Sequence, residues 1–498
     1  MRVRKYILEA VVFLSGGIVM MYELAGSRVL APYVGTSIFV WASLIGVILG
    51  SLSLGYYYGG KIADKRQETI SLAFIIALAA ICVRLTASLR DSVPETLANW
   101  NLGLQMESVL LAIILFAPAS LFLGMVSPYA TRLRLSGLDT SGSVVGRLSA
   151  ISTIGSIAGT FFAGFYLIPQ LGTNRILIGI SLALLFMSIL LIAAETISKK
   201  KKLWAIAILV ATAVVFGTLQ SPSKAHAVDI DTVYNRIWLY ETISNQTQRK
   251  KLNLVTDPGG IQSAMYLDNP TELVAEYTKF YRLGNHFFPN LKNALVIGGC
   301  AYSYPKDFLI QNPEAHLDVV EIDPGMTALA RQYFHLKDDP RLNIIHEDGR
   351  IYLNRNSKQY DVIYIDAFNS HSSVPFHLTT QEAVQSVYTS LSDSGVVLLN
   401  TITALDGEKG KFLEAEYKTY KSIFPQVYII PVRSNTNEVT LQNVMIIALK
   451  SDQIPKWVSN NKELNGYLSK VWRKVPDTGL PILTDDFAPV DYYKMLAL

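Results

Sequence analysis

The chain has 498 residues, half of them hydrophobic and 17% charged, with a mean hydropathy of +0.28 and a net charge of +4; this is too apolar for an ordinary soluble protein and excludes disordered and collagen-like architectures. Up to residue 222 there are 17 Lys+Arg and 9 Asp+Glu, and after it 27 and 31, so an apolar basic half precedes a polar, mildly acidic one. That division argues against a basic nucleic-acid face, and two distant cysteines, Cys82 and Cys300, cannot build a disulfide framework or a Cys-based zinc site.

Seven runs approach or exceed the roughly 18–20 apolar residues that cross a bilayer: 6–25, 38–57, 70–89, 109–129, 148–168, 176–194 and 203–219. The first is read as a span rather than a cleavable signal. Small residues recur at helix-packing spacing, as in Gly46, Gly50 and Gly55 and in Gly155, Gly159 and Gly164, which lets backbones approach closely in lipid. Glu23 and Arg28 fall near the end of the first run, about 140° apart on a helix. They are not an intrahelical pair, which leaves interfacial anchoring or a contact to another helix.

With a cytoplasmic N-terminus, 13 of the 17 basic residues of this half fall on the cytoplasmic side, among them Lys61, Lys65, Arg66, Arg132, Arg134, Arg147 and Lys199 to Lys202. Seven crossings then carry everything beyond Leu219 to the outside. Ala225-His226-Ala227 also has the small-x-small form of a processing site.

From Val228 the pattern becomes short strands and helices. Strands are expected at 236–241, 251–255 and 263–267, then a helix over about 272–283. Further strands follow at 294–299, 316–323, 342–345, 361–366 and 395–400, separated by helix-length stretches, the pattern of a parallel doubly wound sheet. The expected domains are 1–222, seven transmembrane helices; 223–285, a small β-rich subdomain with its entry helix; and 286–498, a Rossmann-like doubly wound α/β domain.

Ligands of such sheets sit at the carboxyl ends of the strands, where strand order reverses. Gly298-Gly299 closes the first strand and leaves room for a ligand beside the backbone. Glu321 follows about 20 residues on, the spacing of a carboxylate that accepts from ribose hydroxyls. Asp348-Gly349 follows the third strand, placed to accept from an adenine amino group, and Asp366 ends the fourth. The ordered set points to a nucleoside site.

Leu295-Val-Ile-Gly-Gly, Val320-Glu-Ile-Asp-Pro, Glu347-Asp-Gly-Arg, Tyr360-Asp-Val-Ile-Tyr-Ile-Asp-Ala-Phe, His377-Leu-Thr-Thr and Leu483-Thr-Asp-Asp-Phe-Ala-Pro-Val resemble the spermidine synthase family of aminopropyltransferases, and the whole chain resembles its membrane-fused bacterial branch. The resemblance implies an S-adenosylmethionine-methyltransferase-type fold for the domain 286–498 and decarboxylated S-adenosylmethionine as co-substrate, without a metal. Glu321 would hold the ribose, Asp348 with Gly349 the adenine, Gln262 the donor beside Gly298 and Gly299, and Asp366 the incoming amine. Tyr277 would line the amine side, with Asn369, Asp485 and Asp486 as further candidates. The expected partners are a small amine (polyamine) and the lipid bilayer, with a homodimer as one assembly and no nucleic acid.

Aminopropyl transfer needs aligned reactants and a base for an ammonium whose free pKa is near 10. Asp366 has the chemistry for that role. The chain departs from the family on the amine side: the loop Gly-Gly-Gly-Asp-Gly-Gly becomes Gly298-Gly299-Cys300-Ala301-Tyr302-Ser303, Asn369 replaces an acid, and a Tyr-His-Glu stretch becomes Tyr277-Thr278-Lys279. Cys300 has no adjacent cation to lower its pKa and reads as a packing residue; His346, His371 and His377 lack metal-ligand spacing. Three readings stay open: an aminopropyltransferase, a methyltransferase-like enzyme that uses S-adenosylmethionine on a lipid or exported substrate, and a non-catalytic polyamine or nucleoside sensor or transporter.

Overall fold

The computed structural model describes residues 2–100, 102–135, 141–194, 228–257, 260–367, 374–433, 437–474, 476 and 479–497. The run 203–219, the lysines at 199–202, the tripeptide at 225–227, Asn369 and His371 lie outside the described residues. The chain divides into two compact units, residues 1–224 and 225–498.

The first unit comprises α1 (Arg2–Val34), α2 (Ile38–Lys65), α3 (Thr69–Leu89), the short α4 (Ser92–Ala98), α5 (Leu104–Arg134), α6 (Ser141–Phe162), a π-turn (Ala163–Leu167), α7 (Ile168–Leu171) and α8 (Thr173–Ala194). Among the described residues, six helices are long and apolar enough to cross a membrane, α6 to α7 counting as one. Several of the glycines act as packing residues: a β-carbon on Gly155 would lie 2.8 Å from the Phe13 carbonyl carbon, and one on Gly159 equally close to that of Gly17, so α1 and α6 touch backbone to backbone. Gly55 and Gly124 do the same for α2 and α5. Gly46, Gly50 and Gly164 face open space, so their spacing in the sequence does not mark a contact within this bundle.

Ion pairs join helix termini at one end of the bundle. Arg132 meets Asp64 at 2.8 Å, and Glu9 lies between Arg147 (3.2 Å) and Arg134 (3.9 Å). At the other end the Tyr33 hydroxyl donates to Asp91. Between them the hydroxyls of Tyr22 and Thr86 lie within hydrogen-bond distance of each other and of the Leu115 carbonyl, one donating to the other and the other to the carbonyl. Apolar side chains such as Leu49, Phe74, Ile113, Phe165 and Phe186 point outward.

The second unit opens with an antiparallel sheet of β1 (Val228–Asp231), β2 (Arg236–Ile243), β3 (Lys250–Val255) and β4 (Ser263–Tyr266), in that order. The entry helix is shorter and more broken than the periodicity suggests: α9 (Glu276–Phe280), a 3-10 turn (Tyr281–Leu283) and α10 (Gly284–Phe287). Then come β5 (Asn293–Ile297), α11 (Ser303–Gln311), β6 (His316–Val320), α12 (Pro324–Tyr333), β7 (Leu342–Ile345), α13 (Gly349–Arg355), β8 (Tyr360–Ile365), α14 (Gln381–Thr389), β9 (Leu391–Thr403), α15 (Lys411–Lys421), β10 (Gln426–Pro431), β11 (Gln442–Leu449), α16 (Lys462–Leu468) and α17 (Val490–Ala497).

The sheet order is β10-β11-β9-β8-β5-β6-β7. Strands β7, β6, β5, β8 and β9 are mutually parallel, as expected of these five, and β11, which the periodicity did not single out, is antiparallel to both β9 and β10. Alternate residues of each strand enter opposite layers: Ala294 and Val296 pack with Val362, Tyr364 and Leu398 on one face, Leu295 and Ile297 with Ile363, Ile365 and Leu399 on the other. Both faces are buried, which is why these strands read as continuous apolar runs. The small sheet sits over the end of β5, with Ile237, Leu239, Leu254 and Met265 packed against Ala301, Met326 and Leu329.

Candidate active site

Chain order reverses between β5 and β8: from β5 the chain adds β6 and β7 on one side, then returns to lay β8 on the other. Ile297 and Ile365 are paired residues at the ends of those strands, so Gly298 and Asp366 emerge side by side. The Asp366 amide donates to the Ile297 carbonyl at 2.9 Å. Gly298 has φ +96°, and a β-carbon there would lie 2.8 Å from the Asp366 carbonyl carbon, so both conformation and space demand glycine.

The loop that follows keeps left-handed backbone where the resemblance would place glycines. Cys300 has φ +47° and Tyr302 φ +57°. An aromatic residue in that region is strained. The ring of Tyr302 is fully buried and its hydroxyl shares a 2.8 Å hydrogen bond with Thr327, contacts that offset the strain. Burial beside Glu321 pushes the Cys300 thiol upward, so it stays protonated.

Glu321 turns back onto this loop. Its Oε2 accepts from the amides of Gly299 and Cys300, each at 2.9 Å, and its Oε1 from the Asp323 amide. The carboxylate thereby clamps the loop, leaving the second lone pair of Oε1. Burial outweighs these donors and raises its pKa. Asp348 caps α13, its Oδ1 accepting from the amides of Arg350 and Ile351, while Oδ2 lies 3.2 Å from His377 Nε2. Gly349 is buried against Ile297, which brings the start of α13 up to the end of β5.

Asp366 is half-buried. Its Oδ2 accepts from the Tyr277 hydroxyl at 3.0 Å and its Oδ1 from Asn400 Nδ2 at 2.9 Å. Burial pushes its pKa up to about 6, opposed by Asn400 and then by the tyrosines. The same burial, with the adjacent carboxylate, keeps the Tyr277 phenol protonated. Asn400 and Tyr277 bear directly on the acid, and only the tyrosine was legible; Asn400 was visible merely as the polar end of an apolar strand.

Of the remaining described candidates, Gln262 and Asp485 have partners of their own. Gln262 donates from Nε2 to Asp257 at 2.9 Å, and its amide pairs with Leu254. Asp485 is not a free acid for an amine: it is held by Arg350 (2.8 Å) and Thr380 (2.7 Å), partners on or capping α13 and α14. Asp486 is exposed on the same turn. Ala301 is fully buried in the apolar cluster beneath the small sheet, so the position of the family's loop acid has become part of a core.

A mostly parallel Rossmann-like sheet with antiparallel β11 defines a methyltransferase-type α/β class of protein. Within that class, residues 276–454 match the spermine/spermidine synthase domain. It is 28% identical over 249 residues to a polyamine aminopropyltransferase of Vibrio vulnificus, covering 47% of this chain and 81% of that one. A probable polyamine aminopropyl transferase of Bifidobacterium longum is 30% identical over 229 residues, covering 42% of this chain and 50% of that protein. Among solved structures, a probable spermidine synthase from Corynebacterium glutamicum matches 54% of this chain and 98% of its own, at 20% identity and a TM-score of 0.44. Human methyltransferase-like protein 13 with SAH matches 42% and 98%, at 22% identity and a TM-score of 0.32.

Proposed function

We propose that the protein is a membrane-bound aminopropyltransferase that moves an aminopropyl group from decarboxylated S-adenosylmethionine to a small amine. The domain match and the named relatives support aminopropyl transfer. The observation that carries the reading is Asp366: a carboxylate with a raised pKa at the strand reversal, flanked by a phenol and abutting the glycine turn.

In this reading Glu321, already shaping the loop, and Asp348 at the start of α13 accept from the nucleoside with their spare lone pairs. Asp366 Oδ2 accepts a proton from the amine's ammonium. The freed nitrogen pair attacks the methylene carbon on sulfur, the C–N bond forms, and the C–S pair returns to sulfur, leaving a neutral thioether. Burial narrows the gap between this base and an ammonium of pKa about 10. The bilayer assignment rests on six long apolar helices with outward apolar faces. With basic residues gathered at one bundle end, the N-terminus is assigned to the cytoplasm and, if 203–219 crosses, the sheet unit to the outside.

The test is to incubate the purified full chain with the donor and a panel of small amines and to follow aminopropylated amine and thioether by mass spectrometry. Product is expected, and Asp366→Asn should lose about 10²–10⁴-fold in turnover while still binding nucleoside. No product with any amine overturns the reading.

A second reading, with S-adenosylmethionine itself as donor, is favoured by Ala301. An acid there would repel the donor carboxylate, and alanine removes that penalty. Methylated products with that donor would select it.

A further inference from the structure

Three donor groups converge on Asp366 and its neighbour along one line. Asn443 Nδ2 donates to Asn400 Oδ1 at 3.0 Å, Asn400 Nδ2 donates to Asp366 Oδ1 at 2.9 Å, and the Tyr277 hydroxyl donates to Asp366 Oδ2 at 3.0 Å. A primary amide has a donor end and an acceptor end. With its oxygen occupied by Asn443, Asn400 has only its N–H end to offer the carboxylate. Asn400 is 2% exposed and lies within β9, three residues from its end, so the backbone holds it in place.

We propose that Asn400 and Asn443 are positioning residues for the reaction assigned above: they hold Asp366 with Oδ1 turned to the sheet and Oδ2 turned to the amine, and they keep the carboxylate in its proton-accepting form. The inference rests on that reading for its function but not for its physics. Strands β9 and β11 supply the two amides. The antiparallel β11 lies directly beside β9, which brings residues 43 apart in sequence into contact. The titratable groups that face Asp366 are Tyr277 from α9, Tyr281 from the turn after it, and Cys300 from the loop after β5. All three stay neutral; the two tyrosines oppose burial through hydrogen bonds, and the bond from Asn400 opposes it more than either.

The polarity of the relay is what the experiment reverses. In Asn443→Asp the new carboxylate accepts from Asn400, whose amide turns and presents its oxygen to Asp366. In Asn443→Leu the relay is merely cut, and in Asn400→Leu the donor itself is lost. The full chain is titrated by infrared difference spectroscopy, with the Asp366 band identified as the one missing from Asp366→Asn, and the acid limb of kcat/KM is recorded in parallel. A hydrogen bond to a charged group corresponds to about one to two pH units. Asn400→Leu should shift the Asp366 titration upward by that amount, Asn443→Leu by less, and Asn443→Asp by at least as much as Asn400→Leu. The acid limb should follow, with KM for the donor unmoved. An Asp366 titration unchanged in both Asn443 variants overturns the proposal, and Asn443→Leu alone decides it if Asn443→Asp fails to fold. Absence of transfer by the unsubstituted protein overturns the reading of function instead, because the infrared titration needs no turnover.

Discussion

A β-carbon on Gly298 would lie 2.8 Å from the carbonyl carbon of Asp366 and closer still to its oxygen. The two residues leave paired strands at the same level, one giving up its side chain so that the other can approach. Replacing Gly298 with Ala adds both a left-handed conformation at φ +96° and a backbone clash. A loss of about 2–4 kcal/mol is expected, read as a fall in the denaturation midpoint of the purified full chain. A midpoint within experimental error of the unsubstituted protein would show that the strands can part at no cost.

Asp366 makes stability depend on pH in a definite direction. Its folded pKa, about 6, is above the ordinary carboxylate value of 3.8, so the folded chain binds this proton more tightly than the unfolded chain does. The stabilisation is full below about pH 4, falls as pH rises toward 6, and is flat beyond. Relative to the unsubstituted protein, Asp366→Asn should therefore gain stability between pH 4 and 6, by up to about 3 kcal/mol. Thermal melts across that range check it; a difference independent of pH would remove the raised pKa. Transfer activity should instead rise through pH 6 as the base ionises, with the opposite slope.

Asp485 separates an anchor from a substrate acid. Its bidentate pairing with Arg350 and its bond from Thr380 tie the C-terminal segment to α13 and α14. Asp485→Ala should lower stability by about 1–3 kcal/mol and leave KM for the amine within about twofold. A large rise in KM with unchanged melting would restore it to the amine site.

In the helical unit the glycines fall into two groups. Gly155→Val places bulk against the Phe13 carbonyl and should cost about 1–3 kcal/mol by parting α1 from α6. Gly46→Ala meets nothing within 4 Å and should be neutral or gain about 0.5–1 kcal/mol. Melting in detergent compares the pair, and equal effects would contradict the packing.

The amino-acid sequence by itself determined the two-part organisation, the apolar runs and the four strand-tip positions, because hydrophobic periodicity and spacing along the chain are local properties. Gly298, Glu321, Asp348 and Asp366 could be ordered from spacing alone, since three follow directly on their strands and Asp348 comes three residues after the end of its own. What only the tertiary structure decided were pairings between distant segments: Asn443 behind Asn400, Arg350 on Asp485, Ala301 under the small sheet, Tyr277 on Asp366. The antiparallel insertion of β11 is of the same kind, for an apolar strand carries no mark of its neighbour or direction. A side chain's role as clamp, anchor or base depends on what meets it in space, and that is settled only when the sheet orders its strands.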